Sequence, residues 1–164
     1  MDADTRPMHL PHLRLTRAGW SIRIAAALLL VLAAALPAAA QPAARWEVLH
    51  GAVLRGFEAG TPRVMLIGQA REALAFAQRA FGPRSQYTLF SLNTLGLVLY
   101  EAGELVEAEE VQRRALDLAR ATVGPRDYRR VDLMLALAET IGTSGRAGEA
   151  ARLRQEAYEA RRAT

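Results

Sequence analysis

Gly82-Pro83-Arg84 recurs 42 residues later as Gly124-Pro125-Arg126. The same shift lays Leu95 on Leu137, Gly103 on Gly145, and Glu107-Ala108 on Glu149-Ala150. It also aligns Ala73 with Ala115 and Ala157, and Leu74 with Leu116. The repeated residues are glycines, prolines and small or apolar side chains, the kinds that punctuate a chain and pack it. Self-similarity at a fixed period of roughly 20–50 residues marks stacked units, none of which can bury its apolar face alone.

Within one period the apolar spacing is that of two helices. Leu89, Leu92, Leu95, Gly96 and Leu99 lie three or four apart, which predicts a helix from about Gln86 to Ala102. Gly103 stands where a helix end often turns left-handed. A second helix is predicted over Leu105 to Thr122, with Ala108, Val111, Ala115 and Leu118 as its apolar stripe. On its wet side Glu109–Arg113 and Glu110–Arg114 are expected to pair at i,i+4. Gly124-Pro125 stops this helix, because proline cannot continue the hydrogen-bond ladder. The next pair reads as Tyr128 to Thr143 and Arg146 to Arg162.

A weaker unit precedes these. Trp46 to Ala59 reads as a helix ended by Gly60, and Pro62 opens a second that runs to Ala80. Its turn aligns at a shift of 43, Glu58-Ala59-Gly60 against Glu101-Ala102-Gly103. Gly51, Gly56 and Gly68 each lower intrinsic helicity by about 1 kcal/mol relative to alanine, so this end is expected to be the least rigid. Small residues at Gly96, Ala108 and Ala115 permit close helix approach. A bulky residue at Ala108 or Ala150 should overpack a hairpin at a cost of about 1–3 kcal/mol. The prediction is an all-α solenoid of three antiparallel hairpins, residues 46–81, 84–123 and 127–162, within a domain of residues 41–164.

Residues 1–40 read as an address instead of a fold. A basic start carrying Arg6, Arg14, Arg17 and Arg23 leads into the 13 apolar residues from Ile24 to Leu36. Pro37 then breaks the run, and Ala38-Ala39-Ala40 supplies small side chains before Gln41. This is the order of a secretory signal peptide, with cleavage expected after Ala40, and translation could begin at Met1 or Met8. A spanning helix needs about 20 apolar residues, so a membrane is a partner only if this segment is retained. The expected location is periplasmic or secreted.

Composition narrows the function classes. All 21 basic residues are arginine, and the formal net charge is +4. Without the first forty residues the balance is 17 basic to 15 acidic, with arginines interleaved among glutamates. That pattern is a solvated helix surface and not the basic stripe of a nucleic-acid protein. There is no cysteine, which excludes disulfides, thiolate metal sites and a cysteine nucleophile. Of three histidines only His50 lies beyond the apolar run, so neither a histidine metal pair nor a triad can be assembled there. No phosphate-binding loop or nucleophile elbow is present, and Gly142-Thr143-Ser144-Gly145 reads as a helix turn. No catalytic residue, metal, cofactor or small-molecule substrate is expected.

Leu95-Gly96, Leu99, Gly103, Ala108 and Ala115 resemble the leucine–glycine, tyrosine, glycine, alanine, alanine order of tetratricopeptide repeats. Leu137-Ala138, Ile141, Gly145, Ala150 and Ala157 repeat it. The 42-residue period with Gly-Pro between units is similar to the kinesin-light-chain variety. Two departures stand out: Leu99 occupies the usual tyrosine place, with Tyr100 beside it, and the His-Pro that often follows Gly-Pro is missing. The resemblance implies a protein or peptide partner held in a groove lined by the first helix of each unit. Its implied lining is Phe90, Asn93, Leu97 and Tyr100, with Asp132 and Glu139 in the last unit. Self-association through the repeat edges is the competing expectation. The polar residues Arg152, Arg154, Glu156, Glu159, Arg161 and Arg162 then make the last helix an end cap, and the Trp46 end the freer edge.

Overall fold

The computed structural model describes residues 40–162, and among these every regular element is an α-helix. The six helices are α1 (Ala40–Glu58), α2 (Arg63–Phe81), α3 (Gln86–Glu101), α4 (Leu105–Thr122), α5 (Tyr128–Thr143) and α6 (Ala147–Arg162). The 3.6-residue periodicity therefore places α3 to α6 almost to the residue. α1 is already formed several residues ahead of Trp46, with Pro42 in its first turn, where a missing N–H costs nothing.

Each helix packs on the next in the chain order α2, α3, α4, α5, α6, and α3 also touches α5 across one unit. That is a translational stack of hairpins. The turns repeat with it: Gly60, Gly103 and Gly145 end their first helices at φ of 71°, 81° and 85°, a region that favours glycine. Gly82 and Gly124 are equivalent in sequence but not in conformation. Gly82 takes φ 87° as the C-cap of α2, whereas α4 stops one residue sooner at the extended Val123.

The starts of α3 and α5 repeat by chemistry where identity fails. Ser85 Oγ accepts from the Thr88 amide, and Asp127, 42 residues on, accepts from the Arg129 amide at 2.9 Å. Each side chain satisfies an orphan donor of a first turn.

The core runs continuously through the stack, from Val53 and Leu66 to Leu99, Met134 and Ile141, all fully buried. Ala108, Ala115 and Ala150 are also fully buried, and a side chain on Gly96 would meet the buried Gln112 at 2.7 Å. The glycines of the first unit are not equivalent. A Cβ on Gly56 would stand 2.5 Å from the Leu66 side chain of α2, too near for any side chain there, while Gly68 faces open space.

The second helices are tied by ion pairs that step along the stack. Arg71 holds both carboxylate oxygens of Glu107, at 2.7 and 2.8 Å, and Arg113 repeats the contact on Glu149 at 2.8 Å. Glu109 joins Arg113 at 2.8 Å as expected, but Glu110 and Arg114 form no pair with each other. Glu109 instead also takes Arg146, and Arg146 returns to Glu149 at 3.3 Å. The four residues close a ring between α4 and the start of α6. The Arg146 hydrogen bond, working against partial burial and aided by Arg113, holds the Glu109 carboxyl below the ordinary glutamate value.

Candidate partner-binding groove

The first helices α1, α3 and α5 stand side by side, and their junctions are built from aromatic and polar side chains. Trp46 on α1 is buried and donates its indole N–H to Ser91 Oγ on α3 at 2.8 Å. A buried indole N–H without an acceptor would cost about 1–3 kcal/mol, so this bond pins the first unit to the second. His50, one turn along α1, stacks on Trp46 at 4.5 Å, and Tyr87 meets the indole edge-on at 5.0 Å. Burial lowers the His50 pKa below its usual value, and its buried Nδ1 has no hydrogen-bond partner. Tyr87 in turn stacks on Phe81 at 3.9 Å. Sequence periodicity missed this cluster because the rings meet across units; the crowding of Trp46, Phe81, Tyr87 and Phe90 was its one visible signal.

Between α3 and α5 the expected lining residues divide into two groups. Phe90, Asn93 and Asp132 share one cleft of about 90 Å³ with Tyr128 and Arg129. Asn93 and Asp132 are exposed there and Phe90 is partly buried. Arg129 is not free to act in the cleft, since Asp127 takes its guanidinium at 2.6 and 2.8 Å. Further along the same helices, Tyr100 donates its hydroxyl to Glu139 Oε1 at 3.2 Å and lies 3.4 Å from Thr143 Oγ1. Leu97 stands between the groups at 46% exposure, too open for a core position. Tyr128 and Arg129 were not foreseen, because they open α5 beyond the helix positions that the repeat pattern marks.

Among the described residues no group of three or more histidines, aspartates and glutamates is placed to hold a metal. On α3 and α5 the exposed side chains include Asn93, Leu97, Tyr128, Asp132 and Glu139, with Tyr100 partly covered.

A family model described as tetratricopeptide repeat matches residues 69–121 and 92–163. A solved structure of Podosopora anserina kinesin light chain nearly identical TPR-like repeats superposes with a TM-score of 0.63 at 18% identity. The match covers 69% of this chain and 53% of that one, and a singly substituted form of the same protein superposes equally well. This chain therefore spans about half the length of those structures, and at that identity the likeness is one of fold. No curated protein matches. Two overlapping stretches of family match, a stack of hairpins and ion pairs repeating along it lead to one conclusion: the chain belongs to the tetratricopeptide repeat family.

Proposed function

We propose that this chain is an exported, non-enzymatic adaptor that holds a peptide or a helix of another protein against α3 and α5. Tetratricopeptide repeats as a class mediate protein–protein interaction, which sets the broad function. One observation supports the narrower reading: Phe90, Asn93 and Asp132 share a cleft whose neighbour along α3, Leu97, is left 46% exposed. An apolar side chain beside polar groups is the usual composition of a recognition strip, where the apolar part gives affinity and the polar part register.

Export rests on the residue order of positions 1–40, of which residues 1–39 lie outside the described residues. α1 begins at Ala40, so cleavage after that residue leaves the helix intact from Gln41 onward. No helix among the described residues is long and apolar enough to cross a membrane. Crosslinking in the exported fraction should give one dominant partner, lost in the double variant Asn93→Ala, Tyr100→Ala. A partner unaffected by that variant removes the groove from the reading. An intact mass that retains residues 1–40 removes cleavage and makes the apolar run an anchor.

A further inference from the structure

In the middle unit Leu89, Ala115, Leu116 and Ala119 belong to the buried core. All four are buried, at 3%, 0%, 2% and 0% exposure. A shift of 42 carries them onto Val131, Ala157, Tyr158 and Arg161 on α5 and α6. Of these, Val131 and Ala157 stay buried at 3% and 1%, while Tyr158 and Arg161 are exposed. No further helix lies on this face of α5 and α6 among the described residues. Together with Leu135 and Ala151, these side chains line an open depression of about 470 Å³. Tyr158 is 56% exposed where its equivalent Leu116 is 2% exposed. Beside the polar residues that let α6 read as an end cap, the face thus carries the exposed ring of Tyr158. Glu156 has turned away from it toward Arg120 and Arg130, at 3.6 and 3.8 Å.

The charged side chains that line the depression itself, Arg154 and Arg161, are both basic, with Asp132 and Glu159 at its margin. The shift replaces Gln112 by Arg154 and Ala119 by Arg161, and Arg162 keeps the place of Arg120. Arg161 reaches Asp132 at 3.8 Å, and Arg162 lies over the Tyr158 ring at 5.6 Å. The chain itself shows what seals such a face. α6 is joined to α4 by carboxylates that meet arginines, Glu149 on Arg113 at 2.8 Å and Glu156 on Arg120 at 3.6 Å, beside the partly buried Leu153.

We infer that the open face of α5 and α6 is a docking socket for an acidic amphipathic helix of a partner protein. Its apolar stripe occupies the Val131–Ala157–Tyr158 depression, and its carboxylates meet Arg154, Arg161 and Arg162. The occupant extends the stack with Arg162 in the role of Arg120; Gln155 stands where Arg113 meets Glu149, and Arg154 beside it supplies the charge. The socket shares no lining residue with the α3–α5 cleft, although Arg161 of the one pairs with Asp132 of the other.

The test uses the full chain and two fluorescein-labelled helical peptides that share a leucine stripe, one flanked by glutamates and the other by arginines. By fluorescence anisotropy the glutamate peptide should bind, and more weakly as salt is raised. Arg154→Gln with Arg162→Gln should lower its affinity at least tenfold with an unchanged melting temperature, while Asn93→Ala with Tyr100→Ala leaves it unaltered. Equal binding of the arginine peptide overturns the inference, as does no binding of the glutamate peptide at millimolar concentration. Loss of binding in the α3 variant moves the ligand to the groove and overturns the socket. Light scattering covers the other occupant: self-association abolished by Arg154→Glu assigns the socket to a second copy and likewise overturns the inference.

Discussion

Arg113 reaches 36 residues forward to Glu149 at 2.8 Å, and in doing so repeats, one unit later, the contact of Arg71 with Glu107. Exposed ion pairs contribute about 0.2–1 kcal/mol each. Here the second pair belongs to a closed ring with Glu109 and Arg146, so its members hold one another in place.

The ring makes stability pH-dependent through Glu109, whose carboxyl titrates below 4.5 in the folded protein. A depressed folded value means that the contribution is complete above the unfolded value and is lost as pH falls through the folded one. The melting temperature should therefore drop on acidification from about pH 5 to about pH 3. Glu109→Gln should flatten that limb while lowering stability at neutral pH. Thermal melts by circular dichroism across this range decide it; an unchanged acid limb in the variant contradicts the ring.

The caps give a second expectation. Ser85→Ala and Asp127→Ala should each cost about 0.5–2 kcal/mol, because each leaves a first-turn amide without its acceptor. Urea denaturation measures both. The two costs should add when the changes are combined, since the caps lie in different units and share no partner.

Two glycines should respond with opposite sign to the same substitution. Gly56→Ala drives a methyl into the fully buried Leu66 and should cost about 1–3 kcal/mol. Gly68→Ala meets nothing within 4 Å and should stabilise the protein by about 0.5–1 kcal/mol. Denaturation midpoints of the two variants test the α1–α2 packing directly, and a shared sign would contradict it.

His50 provides a pH window of its own. Burial lowers its folded pKa, so between the unfolded value of 6.5 and that lower value only the unfolded chain takes up the proton. Stability should thus begin to fall as pH drops below about 6.5, well before Glu109 titrates. His50→Phe should remove this first slope and keep the stack on Trp46. Histidine proton shifts followed by nuclear magnetic resonance give the folded value; a value at or above 6.5 would refute the assignment.

Much of the architecture was legible because punctuation and apolar spacing survive translation by 42 residues. Gly103 and Gly145 announced the turns, and the stripe of Ala108, Val111 and Ala115 announced α4. Ser85 and Asp127 escaped notice because they share a role but not an identity. Helical spacing alone could not separate Glu109–Arg113 from Glu110–Arg114; the deciding factor was Arg146, which a neighbouring unit brings to Glu109. The groove residues divide on similar grounds. Phe90, Asn93 and Asp132 are placed on inner faces by the resemblance to tetratricopeptide repeats, and they do share a cleft. The Tyr100–Glu139 bond depends on the offset between successive hairpins, which no single helix encodes. Tyr158 in the place of Leu116 was readable as a change of side chain, but its meaning required seeing that no helix of the described residues lies over it.

Trp46, the one tryptophan of residues 41–164, is sealed at a single junction, with its N–H on Ser91 and its ring against His50 and Tyr87. Its emission is therefore an optical gauge of whether the first hairpin is seated, whereas ellipticity sums over all the helices. Fluorescence that shifts ahead of ellipticity would mean that the array unzips from this end. Superimposed traces would mean that the hairpins melt as one.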